Sequence, residues 1–348
     1  MLTGGISTMP NIYNGLHCLS LSNYNVQTLI VNSRCLKKNP LSDPHIRTNP
    51  ILLPKKIGNK RIPVVFIFSG FSGNGDRYLA SRLHEDNFAQ LIDGQTTKKK
   101  APEALYVFVD ALTFWGGSQF INSSGTGQYQ DYILKELVSA VKENYRVSDS
   151  ADKWCIFGGS SGGYGALRMV SQFPQIFSTA VAIAPDSFFN MSLLPEIYRA
   201  LPLIKKKGGI KKIKNALIKE NYIQRKEAHL VLNAIGMGAC YAPHPTTKGE
   251  ILWPINEKGI LDTKTWSRWL KHDPIVFLKP RKNNLKKCHI FLECGNADEY
   301  YLQYGCRQLI EILKAANANY VYSEFEGSHF DISSRRLYAL DWLNKLWS

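Results

Sequence analysis

The chain lacks any apolar run approaching the roughly 20 residues that a membrane-spanning helix needs, so no membrane span is expected. Its first residues, MLTGGISTMPNIYNGLHCLSL, have no basic stretch followed by an apolar one, and no secretory leader is expected either. Closely spaced cysteine pairs are missing as well. The seven cysteines are odd in number and scattered, and Cys155, Cys288 and Cys294 fall inside apolar stretches. That is the pattern of reduced thiols in a cytoplasmic protein, not of a disulfide framework. Without a CxxC pair or a His/Cys cluster, no metal or other cofactor is expected. Acidic residues are scarce relative to basic ones, 28 against 43, and the formal net charge of +15 invites a nucleic-acid reading. The lysines gather at Lys98 to Lys100, Lys205 to Lys207, Lys211, Lys212, Lys214, Lys286 and Lys287, in expected loops or insertions. No RNP, zinc-finger or helix-turn-helix signature stands beside them. A solvated basic face with no nucleic-acid partner is the expectation, with attraction of anionic substrates left open.

What the chain does have is the stretch Trp154 to Leu167, WCIFGGSSGGYGAL. An apolar strand runs into a glycine-rich turn and then into helix-compatible sequence, the context in which G-x-S-x-G marks a nucleophile elbow. Glycines are needed because the serine is held at a strained backbone angle between closely packed elements. The alternative is a glycine-rich turn that cradles a phosphate with its backbone amides. The motif fits in two registers, with Ser160 or with Ser161 as nucleophile. Ser160 is favoured because it follows the strand by two residues with glycines at both flanks, leaving Gly163 for close helix packing.

The rest of the pattern is α/β. Val26 to Val31 and Asn49 to Pro54 read as paired strands, with turn chemistry over Asn39 to Asp43 between them. Val64 to Phe68, Leu105 to Val109 and Thr179 to Ala184 are short, wholly apolar strands, as in a parallel sheet buried on both faces. Cys288 to Leu292 and Tyr320 to Phe325 complete a sheet of about eight strands, alternating with helical patterns such as Ile133, Leu134, Leu137, Val138 and Val141. The expected organisation is a loosely ordered arm at 1–24 and a single mostly parallel α/β domain at 25–348 with helices on both faces. Between Pro185 and Pro280 the regular spacing is lost, so residues 186–284 are expected to form a cap-like insertion over one end of the sheet.

In such sheets the informative residues sit at the carboxyl ends of strands. A serine hydroxyl needs a base to take its proton and a carboxylate to orient that base. Asp298 follows one late strand and His329 another, giving the chain order Ser, Asp, His of α/β-hydrolases. Asp298 has the alternative role of a helix N-cap, and Glu293 and Glu299 are rival acids, Glu299 being expected inside the following helix. The oxyanion of a tetrahedral intermediate needs two amide donors. One is expected from Ser161 and the other from Phe71, in the glycine-rich loop after Val64 to Phe68.

Seven segments, NPLSDPHIR, VVFIFSGFSGNGDRYL, FWGGSQFINSSGTGQYQDYILKEL, GGSSGGYGALRM, CYAPHP, LECGNADEYYLQYGCR and FEGSHFDI, occur in the order expected of one family. Together they make the chain similar to the putative-esterase group of α/β-hydrolases, which includes esterase D (S-formylglutathione hydrolase), enterochelin esterase, feruloyl esterases and mycolyltransferases. The resemblance implies the α/β-hydrolase fold and a Ser-Asp-His hydrolase for a small-molecule carboxylic ester or thioester, working through an acyl-enzyme. It places Ser160, Asp298 and His329 at the catalytic positions and Phe71 and Ser161 at the oxyanion donors. Gly159 stands where relatives often carry histidine, and Ser161 where methionine is frequent. Trp115, Phe188, Phe189 and Trp253 are candidates to line an acyl or aryl pocket, or else form the insertion's own small core. An acyltransferase using the same triad, a non-catalytic binding scaffold and a homodimer stay open at this point.

Overall fold

Five apolar residues in a row, Val64–Phe68, have no polar face to turn to water, so a strand made of them is stable only with both faces covered. The computed structural model, which describes residues 5–7, 21–81, 84–220 and 227–348, places this strand at the centre of the sheet. Among the described residues the sheet has nine strands. They are β1 (Gly5–Ser7), β2 (Tyr24–Asn32), β3 (Ile46–Pro54), β4 (Val64–Phe68), β5 (Leu105–Phe108), β6 (Trp154–Gly159), β7 (Thr179–Ile183), β8 (His289–Gly295) and β9 (Asn319–Phe325). The spatial order is β1-β2-β3-β5-β4-β6-β7-β8-β9. The pairs from β5 to β9 are parallel, whereas β1, β2 and β3 join antiparallel at one edge.

The longer helices are α1 (Phe88–Thr97), α2 (residues 129–144), α3 (Ser161–Gln172), α4 (Leu194–Lys206), α5 (Ile210–Glu220), α6 (Ala228–Tyr241), α7 (Thr263–Leu270), α8 (Leu302–Ala315) and α9 (Ile332–Trp347). Alternation along the strands divides the core in two. Val64, Phe66 and Phe68 face α2, α3 and α8, while Val65 and Ile67 face α1 and α9. The middle of α2, Tyr132–Leu137, is π-helical.

Every strand expected from the sequence is present. The ninth, β1, pairs with β2 and comes from the stretch expected to be a loose arm. The end of that stretch is also fixed, since the Ser22 and Asn23 amides donate to the Asp93 carboxylate at 2.9 and 2.7 Å. The remainder of the arm lies outside the described residues.

Residues 186–284 are largely helical, with α4 to α7 between β7 and β8. The lysines at 205–207, 211, 212 and 214 lie within this inserted segment, on α4, α5 and the turn between them. Helix α6 joins the segment to the rest: the Ser123 hydroxyl donates to Ala239 O at 2.8 Å, and a Cβ on Gly125 would meet that same oxygen at 2.2 Å.

Candidate active site

Strand β6 enters helix α3 through Ser160, whose φ of 55° and ψ of −126° lie where residues with a Cβ rarely sit. The turn closes this tightly because its neighbours have no side chains. A Cβ on Gly158 would meet the Gly162 carbonyl carbon at 2.3 Å, and one on Gly162 would meet Phe68 O at 2.3 Å. Ser161, by contrast, is the first residue of α3 and is buried.

The structure brings together three residues distant in sequence. Ser160 Oγ lies 3.0 Å from His329 Nε2, and His329 Nδ1 lies 2.7 Å from Asp298 Oδ2. The other Asp298 oxygen accepts from the Tyr300 amide at 2.9 Å, so the carboxylate is fixed at both ends and buried. Helix α8 begins later, at Leu302, and Asp298 is therefore a turn residue and not its N-cap. Glu299, expected inside that helix, lies in the same turn, where its carboxylate accepts from the His329 amide at 2.8 Å. Glu293 is used elsewhere, buried in an ion pair with Arg335 at 2.6 Å. Burial by itself pushes the His329 imidazole down. The Asp298 hydrogen bond and charge, with Asp186 and Glu299 behind them, outweigh it and hold its pKa above the ordinary histidine value.

Asp186 is the residue that sequence reasoning missed. It follows β7, the strand next to the elbow, and its Oδ1 lies 3.2 Å from Ser160 Oγ. Its Oδ2 accepts from the Ser161 hydroxyl at 2.7 Å and from Gln119 Nε2 at 3.4 Å. The single Ser160 hydroxyl proton thus faces two acceptors, His329 and Asp186. Burial pushes the Asp186 carboxyl above the usual carboxylate range, against the lowering effect of Ser161, His329 and the other donors. The signal was available: Asp186 occupies a strand end, as Asp298 and His329 do.

The loop after β4 runs beside the elbow. Its Phe71 packs its ring against Gly116 and Gly236, where an added Cβ would stand 2.5 and 2.7 Å away. Among the described residues no carbonyl accepts from the Phe71 amide. The Ser161 amide, at the first turn of α3, has no intrahelical acceptor. Both sit on a cavity of 690 Å³ lined also by Ser160, His329, Asn233 and Met237.

Trp115, Phe188 and Phe189 do not line this cavity. Trp115 is buried edge-on to Phe114, and Phe189 is fully buried against Tyr164 and Tyr241. Phe188 precedes a short helix in a left-handed conformation, and Trp253 stacks on Trp269. Phe189 and Trp253 instead pack within the helical segment, beside Tyr241 and Trp269, and Trp115 is buried in the adjoining loop. Among the described residues no group of three His, Cys, Asp or Glu side chains is placed to hold a metal ion, and no helix is long and apolar enough to cross a membrane.

The family described as Putative esterase matches residues 45–332, well over half of the chain. No curated protein matches it significantly. Among solved structures, a ferulic acid esterase aligns at 15% identity over 94% of this chain and 99% of its own, with a TM-score of 0.59. An S-formylglutathione hydrolase from Agrobacterium tumefaciens aligns at 16% identity over 94% and 99%, with a TM-score of 0.55. The enterobactin esterase of Shigella flexneri aligns at 15% identity over 93% of this chain and 59% of its own, with a TM-score of 0.52. These neighbours share the fold, and the family match carries the activity: the chain belongs to the esterase family of α/β-hydrolases and is a carboxylic ester hydrolase.

Proposed function

We propose that the chain cleaves a small-molecule carboxylic ester or thioester through an acyl-enzyme on Ser160. The observation that carries this reading is the continuous contact from Ser160 Oγ through His329 to Asp298, at 3.0 and 2.7 Å. In the first step Ser160 Oγ bonds to the ester carbonyl carbon as its proton passes to His329 Nε2. Asp298 holds the imidazole by Nδ1 and stabilises the imidazolium that forms. Negative charge gathers on the former carbonyl oxygen, where the Phe71 and Ser161 amides are the donors; one such donor is worth about 3 kcal/mol of barrier. Collapse breaks the bond to the leaving alcohol or thiol, which takes the proton from His329. A water, deprotonated by the same imidazole, then releases the acid and restores Ser160.

Residues 186–284 serve as the cap-like part of the site, supplying Asn233 and Met237 to the wall. The test is a pair of variants assayed on a short activated ester. Ser160→Ala is expected to abolish turnover, with a loss of about 10⁶ in kcat by analogy with other serine hydrolases. Ser161→Ala keeps most of it, because its contribution to the reaction is a backbone amide. The reverse pattern overturns the assignment of the nucleophile.

A further inference from the structure

Arg336, on α9 one helical turn into the cavity rim, has a guanidinium with no hydrogen-bond acceptor and no carboxylate partner among the described residues. Its neighbour Arg335, by contrast, is engaged with Glu293 through two hydrogen bonds. The Arg336 guanidinium lies over the rings of Tyr78 and Phe88, 5.0 and 5.1 Å from their centres. Those two rings hold the group by cation–π contact, and none of its N–H groups donates to a described residue. Arg77, on the same rim, likewise has no hydrogen-bond or ion-pair partner among the described residues. Both line the cavity that holds Ser160 and His329.

An oriented, half-buried guanidinium with unused donors on the wall of a reaction cavity matches a planar or tetrahedral oxyanion. Glu85 and Asp86 stand on this rim too and oppose anion binding there, so the preference rests on direct contact with the Arg336 guanidinium and not on the charge of the mouth. The excess of basic over acidic residues adds a long-range attraction for such a substrate.

We propose that Arg336 is a specificity-determining residue for esters or thioesters that carry a carboxylate or phosphate group away from the scissile bond, with Arg77 as a secondary contact. The inference rests on the esterase reading given above and adds the charge class of the substrate.

The test uses the full chain and matched aryl acetates: 4-acetoxybenzamide as the neutral reference, 4-acetoxybenzoate and its two-methylene homologue 3-(4-acetoxyphenyl)propanoate as carboxylates, and 4-acetoxyphenyl phosphate. The quantity read is kcat/KM for each anionic ester divided by that for the neutral one, in the unaltered protein and in Arg336→Gln. Taking the ratio between proteins cancels the intrinsic reactivity of each ester. The ratio is expected to fall about tenfold for at least one anionic ester, and which one falls separates carboxylate from phosphate. A fall of less than threefold for all of them overturns the proposal. Arg336→Lys, which keeps the charge but not the planar fork, restores part of the preference if the ligand is an oxyanion. It also serves as the second variant should Arg336→Gln fold poorly.

Direct binding gives the same answer without turnover. On a Ser160→Ala background the anionic esters bind more weakly when Arg336→Gln is added, and equal binding overturns the inference. If the unaltered protein hydrolyses none of the acetates while this binding difference persists, the esterase reading falls and the anion site stands. If hydrolysis depends on Ser160 but shows no charge preference, the reverse holds.

Discussion

On the sheet side of the cavity, the polar groups hang from turns pinned by the main chain: the Ser160 amide donates to Ile183 O at 2.9 Å, Ala297 to Gly327 O at 3.0 Å, and Tyr301 to Asp298 O at 3.0 Å. On the opposite side, Asn233 and Met237 project from α6, a helix held by its packing against the loops at 116–128. The first wall fixes atoms to within the tolerance that proton transfer requires, because each turn is closed by hydrogen bonds that leave few alternatives. The second wall fixes a surface. Chemistry therefore concentrates on strand ends and shape on helices, and mutations in the two walls are expected to fail in different currencies, rate on one side and stability on the other.

The largest expected effect tests the sheet side. Asp298→Asn keeps the shape but disturbs the tautomer of His329, and kcat is expected to fall about 10⁴-fold with KM little changed. Steady-state kinetics on an activated ester, with circular dichroism as a check on folding, measures it. A loss that appeared mainly in KM would erase the distinction between the walls.

Phe189→Ala probes the helical side. Phe189 is fully buried, packed between Tyr164 and Tyr241, so its truncation is expected to cost about 3–5 kcal/mol of folding stability. Denaturant unfolding reads the cost, and the protein that remains folded should retain its KM. A raised KM at unchanged stability would return Phe189 to the substrate pocket.

The smallest expected effect sharpens the electrostatics of the sheet side. As the proposed base, His329 would act only when neutral; its pKa is held above the ordinary value, so kcat/KM is expected to rise with pH through a midpoint above about 6.5. Glu299→Gln removes the weakest of the negative charges that raise it and is expected to move the midpoint down. An unshifted or upward-shifted limb in the pH–rate profile would contradict that cause. The sign for folding is the same one: a raised histidine pKa adds stability at low pH that is lost as pH rises through the folded-state value.

The two regions also differed in how far they could be read from residues alone. Val64–Phe68 and Thr179–Ile183 are unbroken apolar runs, and a strand buried on both faces has little else to be. Ser160, His329 and Asp298, which the structure brings into contact, stand out in the sequence because strand ends limit the search. Asp186 obeys that rule and was passed over, since one carboxylate was already assigned to the histidine. The helical segment hid its periodicity. Pro202 interrupts α4, lysines crowd the surface of α5, and α6 is apolar nearly all round because it is buried nearly all round. Its aromatics could not be divided between core and pocket, because that choice depends on which face of α6 meets the cavity, a tertiary fact.

The glycine contacts at the elbow carry a consequence for anyone wishing to redirect this enzyme. Gly158 and Gly162 would drive a new side chain into main-chain atoms at 2.3 Å, and Gly295 would meet Gly327 O at 2.4 Å. Main chain does not step aside as a flexible side chain does, so a randomised library spread evenly around the cavity would spend much of its diversity on dead clones at the strand ends. Codon saturation confined to Arg77 and Arg336, exposed and half-buried on the rim, samples the part of the wall where new shapes and charges can be accepted.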